Sequence, residues 1–349
     1  VTADQLPSFG PATTPVERRL RTRVLARPSL AALVALAVVL VFFGVRSPGL
    51  LGPRGVSDVL DVAATVGIGG VAVALLLIAG QFDLSIGAVG GGSALVTAVL
   101  VGHAGWDIWP ALVVSLGCAL VVGLVNGLLV ITTGMPSFLA TLATFLVVEG
   151  ATLAGAQLLT GAHVDGLRGS PGGPSAAATF DGAMQLGSAV FRVSLLWWLA
   201  ATGLATWVLW RTKFGNAVLA SGGARRAARE LGVHVRRTTV TLFCLTATAG
   251  WLIGTLGLLR TGDLQISPGL TEDVDFVVVA VIGGSLLSGG YGSPIGAALA
   301  AVLYAAAREG IVLSGWDVRW FQALLGVLLL VALLANGVVR SRLKAAPRS

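Results

Sequence analysis

Residues 80–87 read GQFDLSIG, and Asp83 is the only charged residue between Val62 and Val101. A carboxylate at bilayer depth costs about 2.5 to 3.5 kcal/mol on insertion scales, so its partners have to be found. Outward from this point the chain is a succession of apolar runs. Of its 349 residues 55% are apolar and only 11% charged, against about 25% charged in soluble domains. The charge is gathered into short stretches, leaving runs close to the roughly 20 residues that cross a hydrocarbon core about 30 Å thick. The pattern predicts an all-α polytopic membrane protein with about ten transmembrane helices.

These spans fall near 29–45, 58–79, 88–102, 109–131, 137–158, 191–210, 239–259, 274–288, 294–313 and 319–339, the third and eighth being short. The first follows a basic stretch, ERRLRTRVLARP, and ends at VRSPG without a small-residue cleavage site, so it is read as uncleaved. Lys and Arg set the orientation. With the N-terminus inside, the cytoplasmic segments are 1–28, 80–87, 132–136, 211–238, 289–293 and 340–349. They hold sixteen Lys and Arg against six on the opposite side, with Arg308 inside the ninth span. The expectation is N-in, C-in, with basic tails at 1–28 and 340–349 flanking a transmembrane domain at 29–339. The net charge of +7 then marks a membrane side and not a nucleic-acid partner.

Three loops are long. Residues 159–190, rich in Gly, Pro, Ser and Ala, read as a mobile external loop; 260–273, also external, carries Asp263, Glu272 and Asp273; 211–238 is basic and internal. The 48 glycines include Gly123-x3-Gly127, Gly250-x3-Gly254 and Gly292-x3-Gly296-x3-Ala300, a spacing that lets helix backbones approach closely in lipid. IAGQFDLSIG at 78–87 and IGGSLLSGG at 282–290 are weakly alike, as expected where transporter repeats carry broken helices in matching places. Cys118 and Cys244 lie in apolar spans without metal-like spacing and read as packing residues, so no metal is expected.

No GxxxxGK[ST] stretch occurs, so the chain lacks that device for binding ATP, and any ATP-driven function needs a partner. His103, His163 and His234 fall in loops, and no Ser–His pair can be placed at one depth, which argues against an intramembrane hydrolase. The chain reads as no enzyme. Within 211–238, ARRAARELGV has helical propensity, and Gly222-Gly223 interrupts the segment ahead of it. A short helix lying parallel to the membrane is predicted there. On composition alone a solvated positive-inside anchor is the better fit.

The order TKFGNAVLASGG-x-x-x-AARELGV resembles the cytoplasmic coupling loop of permeases from bacterial monosaccharide importers of the ATP-binding cassette class, the ribose and xylose permease family. Three further stretches extend the resemblance over roughly 58–340. GQFDLSIGAVGGGSAL is similar to the family's G-G-I-D-L-S-V-G-S. NGLLVITTGMPSFLATLATFLVVEG is similar to its N-G-x-L-V-x-x-x-x-x-P-x-F-I-A-T-L-x-T. DVDFVVVAVIGGSLLSGGYGSPIGA is similar to its E-L-D-A-I-A-A-V-V-x-G-G-T-S-L-S-G-G-x-G-S. In place of the family's Asn-Pro-Glu ahead of Ala-Ala stand Ala224, Arg225 and Arg226, which reverse the local charge.

The resemblance implies a vitamin-B12-importer-like permease fold in the bacterial cytoplasmic membrane, a homodimer with its path near the two-fold axis, and no cofactor on this chain. It also implies two partners, an ATPase that binds ATP-Mg and an extracytoplasmic solute-binding protein. Phe214, Gly215, Gly222, Gly223, Arg225, Arg226, Ala227, Ala228 and Gly232 would form the ATPase-coupling loop. Asp83, accepting hydrogen bonds from backbone N–H groups or from Ser85, would hold a helix break beside Gly87. Gly283, Gly284, Ser288, Gly289 and Gly290 would do the equivalent at the eighth-to-ninth junction, and Asn126, Pro136, Phe138 and Thr141 would complete the path. Pro136 opens the fifth span, where its missing N–H costs nothing. Glu149 and Arg308 are expected to pair across spans. Two rivals remain: a permease for branched-chain amino acids or nucleosides, and a secondary transporter in which Asp83 or Glu149 carries a proton or sodium ion.

Overall fold

The computed structural model describes residues 28–160, 167–262, 264 and 271–345. The rest of the two tails, His163 and Asp263 lie outside the described residues. Each of the ten segments expected to span overlaps a helix: α1 (Pro28–Arg46), α2 (Pro53–Ile78), α3 (Ile86–Gly102), α4 (Ile108–Thr133), α5 (Ser137–Thr160), α7 (Ser194–Arg211), α10 (Val235–Thr261), α11 (Thr271–Ile282), α12 (Pro294–Leu313) and α13 (Trp320–Ala345). Between α5 and α7 come α6 (Gly173–Asp181) and a hairpin of β1 (Ala183–Leu186) and β2 (Ala189–Arg192); between α7 and α10 come α8 (Lys213–Gly223) and α9 (Arg225–Glu230). Among the described residues, α1, α2, α4, α5, α10 and α12 are long and apolar enough to cross a membrane; α3 and Trp320–Ala335 of α13 are shorter apolar helices.

Helix α2 is the centre of the bundle. From Gly67 to Ile78 all but one of its residues are buried, packed against α7, α11 and α12. A second set, α3, α4 and α10, is drawn together by the small residues the sequence singled out. A Cβ on Gly250 or Gly254 of α10 would come within 2.3 Å of the Ile86 carbonyl or 2.1 Å of the Gly90 carbonyl on α3. A turn or more earlier along α10, Gly123 and Gly127 of α4 lie against the Phe243 carbonyl and Val240. Contact at this range is dispersion between backbones, the force available where lipid removes the hydrophobic drive between helices.

Two expectations need correction. Residues 81–85 are not a surface loop: the segment is non-helical, and Gln81, Asp83, Leu84 and Ser85 are buried inside the bundle. Asp83 touches Thr246, eleven residues into α10 and so about 16 Å from that helix's start. Helix α3 is therefore short because the chain enters the bundle extended and begins to coil only at Ile86. Nor is 159–190 a featureless loop. Its low charge concealed Phe180, which is 6% exposed and packs among Trp109, Trp197 and Trp251, stacking on Trp197 at 5.4 Å. A third difference is the eighth span, expected over 274–288, whose helix stops at Ile282 before a glycine turn.

Candidate functional site

The break at 79–85 leaves backbone groups that a helix would have satisfied, and in a membrane bundle these need partners from the protein. Side chains at the start of α5 supply two: Ser137 Oγ accepts from the Phe82 N–H at 2.8 Å, and Thr141 Oγ1 from the Leu84 N–H at 3.1 Å. Asp83 takes a third. Its Oδ1 accepts from the Ser85 N–H (2.8 Å) and the Ser85 hydroxyl (2.7 Å), and its Oδ2 from Thr246 Oγ1 on α10 (2.6 Å). Ser85 Oγ in turn accepts from Asn126 Nδ2 on α4 at 2.9 Å, and Asn126 Oδ1 accepts from Thr144 Oγ1 on α5 at 2.7 Å. Four elements thus meet through one carboxylate that is 2% exposed. A buried network satisfied in this way fixes a geometry; half satisfied, it costs more than an apolar core.

Of the residues expected here, Asp83, Ser85, Asn126 and Thr141 come together; Ser137, Thr144 and Thr246 join them without having been singled out. Pro136 stands immediately ahead of α5, where its carbonyl accepts from the Leu139 and Ala140 N–H groups. Phe138 is 46% exposed and meets Phe82 edge-on. The Gly87 N–H donates to Asp273 of α11. Ser288 is exposed at the tip of a turn and takes no part in the network.

The second junction is built from glycine backbones. Gly284, Gly289 and Gly290 have φ of 90°, 78° and 78°, the left-handed region that favours glycine, and the Gly290 N–H donates to the Ile78 carbonyl at the end of α2 at 2.8 Å. The two stretches that resemble each other in sequence therefore touch in space. The end of α8 enters the same point: a Cβ on Gly222 would lie 1.9 Å from the Ile78 carbonyl and 2.5 Å from the Gly290 nitrogen. Gly283 packs in the same manner against the start of α12, where a Cβ on it would lie 2.6 Å from the Ala297 Cα.

Beyond Gly222 and Gly223, in the last turn of α8, the short helix expected from ARRAARELGV forms as α9. Thr212 caps α8 by accepting from the Gly215 N–H at 3.1 Å, and Phe214 packs on the core. On α9, Ala227 is exposed but Ala228 is 4% exposed and faces its own chain, which corrects the expectation that both seat against a partner. Arg226 is 96% exposed, whereas Arg225 is half-buried; burial first, then the Arg229 charge, holds its guanidinium below its ordinary value. Gly232, at φ 81°, ends the helix, and next to it Leu231 is 84% exposed.

Sequence reasoning missed a charged ring. Arg260 at the end of α10 forks onto Asp61 of α2 at 2.7 and 3.0 Å and reaches Asp181 at 3.2 Å; Arg192 of β2 binds Asp181 at 2.8 Å and lies 3.7 Å from Asp61. Its members are up to 199 residues apart, and no local pattern joins them. Glu149 lines a cavity of about 260 Å³ with Thr152, Arg260, Glu272 and Asp273. Arg308 stands within electrostatic reach of Asp275 and Tyr304, which hydrogen-bond each other at 2.6 Å.

A multi-helix bundle with six described helices long and apolar enough to cross a membrane, and a buried non-helical entry within it, fits a polytopic membrane permease. The chain belongs to the family described as branched-chain amino acid transport system / permease component, whose model matches residues 55–333. It is similar to a fructose import permease protein of Rhizobium meliloti, 28% identical over 319 residues that cover 90% of this chain and 86% of that one. It is also similar to a galactose/methyl galactoside import permease protein of Escherichia coli, 28% identical with coverage of 89% and 94%. An autoinducer 2 import system permease protein of Salmonella paratyphi A is 29% identical, with coverage of 87% and 91%. No solved structure matches the chain.

Proposed function

We propose that this chain is the permease subunit of an ATP-driven importer that moves a monosaccharide or similar small polar solute across the bacterial cytoplasmic membrane. It would work as a homodimer of ten-span, N-in, C-in subunits with the vitamin-B12-importer-like fold. An ATP-binding cassette ATPase would dock on α8 and α9, and an extracytoplasmic binding protein would deliver the solute. The chain binds no cofactor itself; ATP-Mg belongs to the ATPase.

The observation that carries this reading is the seat of Gly222. A cytoplasmic helix pair with an exposed far end and a near end wedged between the two helix junctions can transmit a push from a partner to both at once, which rigid-body coupling requires. A positive-inside anchor needs no such wedge. The sugar class is supported by the fructose and galactose import permeases among the relatives; the family's description, which concerns amino acids, supports the fold and the permease role.

The test is uptake in proteoliposomes containing the permease, its ATPase and its binding protein. Uptake should require ATP, stop with orthovanadate, and survive an uncoupler while ATP is maintained. Uptake that collapses with the uncoupler and ignores orthovanadate would instead identify an ion-coupled secondary transporter.

A further inference from the structure

The cavity of about 260 Å³ is bounded by α3, α5, α10 and the start of α11. Much of its wall is glycine, Gly87, Gly90 and Gly91 of α3 with Gly254 and Gly257 of α10, so backbone borders a space that side chains would otherwise fill. Into this wall is set Asp273, only 1% exposed. Its Oδ1 accepts from the Gly87 N–H in the first turn of α3, whereas its Oδ2 accepts no hydrogen bond among the described residues. A buried carboxylate oxygen without a donor is costly, and this one belongs to a residue that lines open space where a donor can sit.

The rest of the lining selects that donor. Arg260 is the single cation among the described lining residues, and its Nε, Nη1 and Nη2 already donate to Asp181 and Asp61. The carboxylate of an amino acid or a phosphate would therefore meet acidic groups with no uncommitted cation to hold it. Acceptors predominate instead: Asp273 Oδ2, the Glu149 carboxylate, and Thr152 Oγ1, whose own proton goes to the Val148 carbonyl at 2.7 Å. Hydroxyl groups are donors that need such acceptors, and the C–H groups between them suit walls of glycine backbone, Phe145 and Ile253. We infer that this cavity is a binding site for a neutral polyhydroxylated ring, a monosaccharide, with Asp273, Glu149 and Thr152 accepting from its hydroxyl groups. The inference rests on the proposed transport of a monosaccharide and adds a site for it within this chain. Asp273 also ties occupancy to the chain break, because the same carboxylate holds Gly87 just beyond the Asp83 network.

The test follows the thermal midpoint of the full-length permease in detergent during titration with D-ribose, D-xylose, D-galactose and D-fructose. A bound ligand raises the midpoint saturably, whereas exclusion of sugar from the protein surface raises it without saturation and equally for the L-enantiomers. At least one D-sugar should give a saturable rise that its L-enantiomer does not. Asp273→Asn and Glu149→Gln should each raise the half-saturating concentration about tenfold, as expected on weakening a charge-assisted hydrogen bond. If Asp273→Asn fails to fold because Gly87 loses its partner, Glu149→Gln and Thr152→Val keep that bond and carry the test. In the complete importer Glu149→Gln should deliver less sugar per ATP hydrolysed, whereas a purely structural role would lower uptake and hydrolysis together and leave their ratio as it was. The site is overturned by the absence of any saturable, enantiomer-selective rise, or by one whose half-saturation is the same in the variants. A rise given by spermidine and by no sugar would overturn it too, making the cavity a cation site. The transport reading fails separately, if proteoliposomes with the complete importer take up none of the four sugars; uptake without a midpoint response sinks the site alone.

Discussion

Asp83 is held by three donors, two from Ser85 and one from Thr246, and this division of labour sets what substitution should do. Asp83→Asn keeps one acceptor but loses the charge-assisted strength, worth about 1.5 to 3 kcal/mol per bond. Uptake should fall by tenfold or more while much of the protein remains in the membrane, as read by solute flux against permease level. Thr246→Val removes a single donor at nearly constant shape and should lower the thermal midpoint in detergent with a smaller loss of flux. Full activity in Asp83→Asn would reduce the carboxylate to a tolerated cap. The bond to Ser85 was readable in sequence because donor and acceptor are two residues apart and the turn is local. Thr246, 163 residues away, was not, since a sequence carries no coordinate that puts two helices at the same depth. Asp61 escaped for a related reason: a carboxylate near the start of an apolar span looks like an end residue until its arginines are located.

At the scale of elements, α8 and α9 differ in what they can tolerate. Gly222→Val would drive a side chain into the Ile78 carbonyl, backbone that cannot swing aside, so α8 must shift; overpacking of this kind costs about 1 to 3 kcal/mol or more. The expected result is a permease that inserts but transports poorly, with a lowered thermal midpoint measured in detergent. Ala227→Trp addresses the other end. Ala227 is exposed, so a large side chain there should leave the isolated permease as stable as before and yet stop the ATPase from copurifying. Gly232 is the wrong place for that test, because its φ of 81° strains any replacement whatever the partner does. Arg226→Glu should weaken assembly in a salt-dependent way, and more than Arg225→Glu, because Arg226 is nearly fully exposed whereas Arg225 is half-buried. Unchanged copurification in the Ala227 and Arg226 variants would remove the coupling assignment. Helix existence here came from Ala, Arg, Glu and Leu propensity; the side of α9 that faces its own chain did not, because six residues carry too few apolar positions to mark a face.

Across the whole molecule, ten apolar runs became ten helices because periodic burial and length are local properties. Six of the described helices are long and apolar enough to cross a membrane, and the others are shorter or less apolar. Helix α3 starts at Ile86 after an extended entry, and α11 has only 12 residues, about 18 Å, so neither helix alone matches the thickness of a hydrocarbon core. Non-helical backbone at such depth is stable where protein side chains satisfy it, as Ser137 and Thr141 do for the first of these segments. The arrangement of loops about the bundle then rests on the Lys and Arg asymmetry, and it can be measured directly. In cells making the permease without its ATPase, with both native cysteines replaced, Met184→Cys on the hairpin, 64% exposed, should react with an impermeant thiol reagent applied outside. Glu230→Cys, at the end of α9 where the native side chain is 69% exposed, should react only after the membrane is permeabilised. Both positions are exposed in the chain itself, so burial within the chain cannot mimic protection by the membrane. Labelling of Glu230→Cys from outside with Met184→Cys protected would invert the topology, and α8 and α9 would then face away from any cytoplasmic ATPase.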